Sequence, residues 1–194
     1  MRSTQVSLTN TPLTPSQSAR HVIYQPHDHN ACIAAALERA EARCAERGTR
    51  LTELRAQVLR LIWQNHTPLG AYTLMEMLAK ASTRRVAPPT VYRALDFLLD
   101  EKLIHRINSL NAFIGCPHSH QEHASHFLIC ENCHIAIELD DAELNQRLMS
   151  VAESAGFKVR SHSVELLGRC PNCQLQLDVD ATQSSGPQHE AESL

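Results

Sequence analysis

Apolar side chains recur at helical spacing through the first half of the chain and in shorter, strand-like runs through the second. Between Cys32 and Arg47 an Ala- and Glu-rich segment places Ile33, Leu37, Ala40 and Cys44 on one face before Gly48, which predicts a first helix. A second predicted helix opens at Thr52, a suitable N-cap, and runs through Leu54, Val58, Leu59, Leu61 and Ile62 toward Gln64. Pro68 and Gly70 break the chain ahead of a third, AYTLMEMLAKA, with Leu74, Met75 and Leu78 as its apolar positions. Pro88 and Pro89 pre-set the start of a fourth, where Val91, Ala94, Leu95, Leu98 and Leu99 share a face. After Lys102 come two β-like stretches, LIHRI and AFIGC, joined by NSLN. Helices followed by a two-stranded ribbon form the order of a winged helix-turn-helix.

The second half reads as a strand (HFLIC), a cysteine turn, a strand (IAIEL), a helix over about 141–155, a strand (KVRSHSVEL) and a second cysteine turn. Asp140 and Asp141 favour the start of that helix and Gly156 its end. The expected fold class is therefore α+β, with a winged helix-turn-helix unit over 29–116 and a small α/β unit over 117–180. The flanks, 1–28 and 181–194, are polar and without sustained period, so disordered tails are expected there.

Composition changes this picture in two ways. Of the 194 residues 43% are hydrophobic, enough for a core. The chain has no run of eighteen apolar residues and no export-signal pattern at its N-terminus, so no membrane association and a cytoplasmic location are expected. Residues 31–110 carry twelve Lys/Arg against eight Asp/Glu, whereas 111–194 carry four against twelve. A basic half joined to an acidic half suggests that the first meets a polyanion.

The strongest chemical signal is the pair Cys130-Glu-Asn-Cys133 and Cys170-Pro-Asn-Cys173. Each motif sets two thiolates across a tight turn, and two such turns brought together make the tetrahedral sulfur cage that Zn²⁺ favours, usually as a closed structural site. In a reducing compartment that pattern reads as metal ligation in preference to disulfides. His134 follows one motif where Gly is common, and His tolerates the left-handed backbone such a position needs.

A second concentration of ligands lies just ahead. Six of the twelve histidines fall between His105 and His134, interleaved with Cys116, and Glu138 follows. A His, Cys, His, Glu set suits zinc, because a thiolate disfavours hard ions and imidazole selects late transition metals. Spacing alone does not choose among His118, His120, His123 and His126. PHSHQEHASH also reads as a solvated polar loop.

LTELRAQVLRLI, AYTLMEML, PPTVYRALDFLLDEKLIHRI, CENC and CPNC together resemble the ferric uptake regulator family, and within it the zinc uptake regulator branch, over roughly residues 31–175. The resemblance implies a winged-helix DNA-binding domain hinged to an α/β dimerisation domain. It implies one structural zinc on Cys130, Cys133, Cys170 and Cys173, and one regulatory zinc on His105, Cys116, His123 and Glu138. Tyr72 and Arg93 fall where zinc uptake regulators approach purines, and Thr90 and Tyr92 precede Arg93 on the recognition helix. The inward set beginning at Val91 leaves Thr90, Tyr92, Arg93 and Asp96 outward, and an outward Arg can pair with guanine.

The implied function is a zinc-responsive repressor of zinc-uptake genes, a homodimer on double-stranded operator DNA and not an enzyme. Its nearest rival is an iron- or peroxide-sensing relative. EHASH stands where the iron branch shows His-His-Asp-His, which with Cys116 favours zinc. The sequence contains no H-E-x-x-H or comparable motif for a zinc hydrolase. A zinc-stabilised interaction module and a thiol oxidoreductase are the other classes weighed. LTELR lacks the Pro common after LT in the family. Ala79 stands where some relatives carry an Arg partner for the acid at Glu76, so cooperative stacking of two dimers is not expected. The N-terminal extension has no family counterpart.

Overall fold

A computed structural model describes residues 28–64, 67–81, 86–118 and 125–176. The expected tails therefore lie outside the described residues, save Asp28, and so do His120 and His123.

Helix α1 (His29–Glu46) starts three residues before Cys32, because the Asp28 carboxylate accepts from the Asn30 and Ala31 N–H groups at 2.9 and 3.3 Å. Gly48 ends this region with φ 64°, a conformation costly for other residues. α2 (Glu53–Trp63) follows Thr52, which holds the N-cap position without a side-chain bond; Glu53 instead complements the positive helix end. β1 (Leu69–Gly70), α3 (Ala71–Ala81), α4 (Pro88–Asp100), β2 (Ile104–Ile107) and β3 (Ala112–Gly115) complete the first unit.

The two-stranded ribbon is corrected to three strands, ordered β1-β3-β2. Leu69 and Gly70, expected only as a break, pair with Phe113 and Ala112; Pro68 precedes the strand and so removes no ladder bond. The core closes on Val58, Leu59, Ile62, Leu74, Leu78, Val91, Leu95 and Leu98, all essentially inaccessible. The Trp63 indole lies so tightly on Gly115 that a Cβ there would collide with it, and Arg39 stacks 5.6 Å from the Trp63 ring centre. Buried Glu101 pairs with Arg47 at 2.8 Å, tying α1 to the end of α4.

In the second unit β4 (Ser125–Cys130), β5 (Ala136–Leu139), α5 (Ala142–Ser154) and β6 (Ser163–Gly168) form a sheet ordered β5-β4-β6. Asp141 caps α5 through the Leu144 N–H, and Gly156 turns left-handed after it. β4 and β6 are parallel, and α5 lies in the crossover that a parallel pair requires. The strand expected from Lys158 begins only at Ser163, because its partner β4 begins at Ser125, the residue it meets. Just before it, His162 bonds the Asn145 side chain at 2.6 Å.

α5 buries none of its residues, and Val151, Phe157, Leu166 and Leu167 are more than half or about half exposed. The two units meet through a small core in which Ile107 and Ile114 of the wing pack with Phe127, Ile129 and Ala136 of the sheet. Among the described residues no helix is long and apolar enough to cross a membrane.

Candidate metal centres and nucleic-acid face

Cys130 closes β4 and Cys170 follows β6, and the parallel register of those strands, with Cys130 opposite Gly168, brings the two turns side by side. His134 adopts φ 58° and bonds the Cys130 carbonyl at 2.9 Å, so it performs the left-handed step usually given to Gly. One ligand atom from each of Cys130, Cys133, Cys170 and Cys173 lies within 4.8 Å of the others. Cys133 and Cys170 sulfurs stand 3.6 Å apart, far beyond a disulfide bond. Sulfurs about 2.3 Å from a central zinc would stand about 3.8 Å apart in a tetrahedron, so the donor set fits that ion.

Protonation points the same way. Burial pushes the Cys130 thiol up, but N–H groups of Cys133, Cys170 and Asn132 hold its anion and bring it down to about 6. Burial, followed by the neighbouring sulfurs, pushes Cys133 up to about 12, although the Ile135 N–H opposes this. Burial likewise raises Cys170. Burial thus favours the thiol at Cys133 and Cys170, and all four sulfurs could ionise together only around a cation. Asn132 supports the cage by donating to the Cys173 sulfur at 3.2 Å.

The second cluster draws on both units. His105 of β2, Cys116 just beyond β3 and Glu138 of β5 converge within 4.8 Å. His105 Nε2 is 3.0 Å from Glu138 Oε1, and both side chains are almost entirely buried. The other ring nitrogen shares a 2.8 Å hydrogen bond with the Ser125 hydroxyl, and Phe127 meets the ring edge-on at 5.5 Å. Burial, then the Glu138 charge, pushes the Cys116 thiol up to about 12, against an opposing His118 N–H. A thiolate beside a buried carboxylate again calls for a cation.

The structure thus brings together three of the four residues expected here; the fourth, His123, lies outside the described residues. His126 is not a member. Successive strand residues face opposite ways, so Phe127 meets the wing while His126, fully buried, lies beside His162 at 5.5 Å between ring centres. Sequence reasoning passed over Ser125, which shares the phase of Phe127 and so faces the cluster.

Along α4, Val91, Ala94, Leu95 and Leu98 are buried while Thr90, Tyr92, Arg93 and Asp96 are exposed, the expected pattern. Leu99 is half-buried. Tyr72 at the start of α3 is 76% exposed. Tyr72, Tyr92, Arg106 and Asn111 line one cleft between α3, α4 and the wing, where Arg106 donates to Asn111 at 2.7 Å.

Residues 46–167 match the ferric uptake regulator family. The chain belongs to that family. This ferric uptake regulator family member is 38% identical over 139 residues to the zinc uptake regulation protein of Escherichia coli (strain K12), covering 71% of this chain and 80% of that protein. The crystal structure of holo XcZur is 41% identical, with a TM-score of 0.66 over 75% of this chain and 99% of that one. A zinc uptake regulator complexed with zinc and DNA is 33% identical, with a TM-score of 0.69 over 80% of this chain and 99% of that one. Those structures carry the fold described above, a winged helix followed by an α/β unit. The family is one of regulators, and its member here is not an enzyme.

Proposed function

We propose that this chain is a zinc-responsive transcriptional repressor that binds operator DNA as a zinc-loaded homodimer and represses zinc-uptake genes. The carrying observation is that His105 and Cys116 of the wing converge on Glu138 of the other unit. Residues 29–116 serve as the DNA-binding domain and 117–180 as the dimerisation domain. Cys130, Cys133, Cys170 and Cys173 hold a structural zinc. His105, Cys116 and Glu138, with His123, hold a regulatory one. The likeness to a regulator complexed with zinc and DNA supports the reading.

Bound zinc supplies the positive charge that lets a thiolate and a carboxylate share one buried site. Ser125 orients the His105 ring for that role, and Phe127 keeps water from it. Ligands on both sides of the hinge favour the domain geometry in which all of them meet, and the cation shifts the population toward that geometry by as much as it binds it more tightly than the others. Exposed Arg93, Thr90, Tyr92 and Tyr72 then face a palindromic operator at the spacing of two half-sites. The open apolar surface of α5 and β6 is what a second copy would cover. A soft sulfur in the regulatory set favours zinc over the iron-sensing alternative. A DNA target implies a cytoplasmic protein.

The test is metal content per chain together with operator binding across a buffered free-zinc series. Cys116→Ser should stay dimeric and keep one zinc but lose zinc-dependent operator binding. Retention of that binding would sink the two-site reading, and restoration after chelation by iron alone would favour the alternative.

A further inference from the structure

The wing rests on one row of the C-terminal sheet. Phe127 of β4 stands opposite Glu138 of β5 on one side and Glu165 of β6 on the other, so the three side chains share a face. Glu138 meets His105, and Phe127 packs with Ile107 and Ile114. At the far end, Glu165 reaches the turn between β2 and β3. One of its carboxylate oxygens accepts from the Asn108 N–H at 2.7 Å and the other from the Ser109 N–H at 3.0 Å. The β2–β3 ladder stops at Ile107 and Ala112, so both N–H groups lie beyond it.

An ionised carboxylate bridging two successive backbone N–H groups is a charge-assisted, two-pronged contact. Burial would push the Glu165 carboxyl up, but the Ser109 hydroxyl and N–H and the Asn108 N–H hold it below the usual carboxylate range. Glu165 belongs to neither ligand cluster. It nevertheless joins the two units across 57 residues of sequence.

We propose that Glu165 is a positioning residue, a latch that holds the wing turn on the C-terminal sheet and so sets the free-zinc concentration at which the regulator engages its operator. This rests on the function proposed above. With the latch made, the wing is fixed at Phe127 and at its tip, and His105 and Cys116 are held where Glu138 can meet them. Without it the wing is held by the apolar contact and by His105 on Ser125 and Glu138, and its tip is free to pivot about them. Fewer molecules then present the assembled set, and apparent zinc affinity falls in proportion to that fraction. The contact borders solvent, which limits its strength.

Glu165→Gln removes the charge and turns one acceptor into a donor. It should raise the free-zinc midpoint for operator binding by roughly 3- to 10-fold, the equivalent of one ordinary net hydrogen bond, because the contact borders solvent. Metal content at the four cysteines, dimerisation and operator affinity at saturating zinc should stay within about twofold, as for other surface changes. Ser109→Ala should give a smaller shift, and the double variant no more than Glu165→Gln alone, because the two groups share one contact.

In the zinc-free protein, amide exchange at Asn108 and Ser109 should accelerate in Glu165→Gln. An unmoved midpoint, or fully additive shifts, overturns the proposal, as does unchanged amide exchange. The exchange measurement needs no regulatory zinc, so it still judges the latch if Cys116→Ser shows the two-site reading to be wrong.

Discussion

The two ligand clusters differ in their donors, four sulfurs in one and a mixed His, Cys and Glu set in the other, and they differ also in where the chain supplies them. The four cysteines come from two turns of one sheet, so a cation there ties the α/β unit to itself. His105, Cys116 and Glu138 come from both units, so a cation there ties one unit to the other. The difference teaches that the connectivity of the ligands, beside their chemistry, separates a building site from a reporting site.

The largest effect should follow from breaking the first cluster. A structural zinc contributes on the order of 10 kcal/mol, comparable to the whole stability of a domain. Cys173→Ser should therefore lose that zinc, lose the dimer and melt the α/β unit, as read by metal analysis, light scattering and circular dichroism. A folded dimeric variant would mean that the cage is not what holds the unit together. Cys116→Ser, which should lose only the switch, is its counterpart.

A change outside both clusters sharpens the contrast. Arg93→Ala should lower operator affinity by roughly 5- to 100-fold, the value of a specific Arg–guanine contact, while both zinc ions remain. Unchanged affinity in a gel-shift titration would remove Arg93 from the reading face. The smallest effect concerns His126, whose pKa burial and then His162 hold below the ordinary 6.5. A depressed value means stability that is fully present above the unfolded pKa and declines as pH falls through the lower folded one. His126→Leu should flatten that decline in urea titrations at mildly acidic pH; an unaltered slope would show that His126 does not supply it.

How much of this was legible followed the range of the interaction. The C-x-x-C pairs, the inward set beginning at Val91, the caps at Asp141 and Gly156 and the left-handed tolerance of His134 are local, and all are read from spacing. The start of α1 at His29, capped by Asp28, is not legible because an acid in a polar stretch gives no periodic signal. β1 was missed because a two-residue strand exists only through β3. The strand predicted from Lys158 overshoots the start of β6 because that limit is set by β4. The convergence of His105, Cys116 and Glu138 came from family resemblance, since nothing in their spacing brings a wing strand onto a distant sheet. The Glu165 contact had no sequence signal, because a carboxylate bound to backbone N–H groups selects no partner side chain.

Trp63, the single tryptophan of the chain, lies on Gly115, immediately before Cys116. With no Cβ to intervene, the indole rests directly on the backbone that leads into Cys116. The molecule thus carries its own optical gauge. A tilt of the wing that moves the Cys116 backbone alters the polarity around this one fluorophore, so its emission should register zinc occupancy without any attached label.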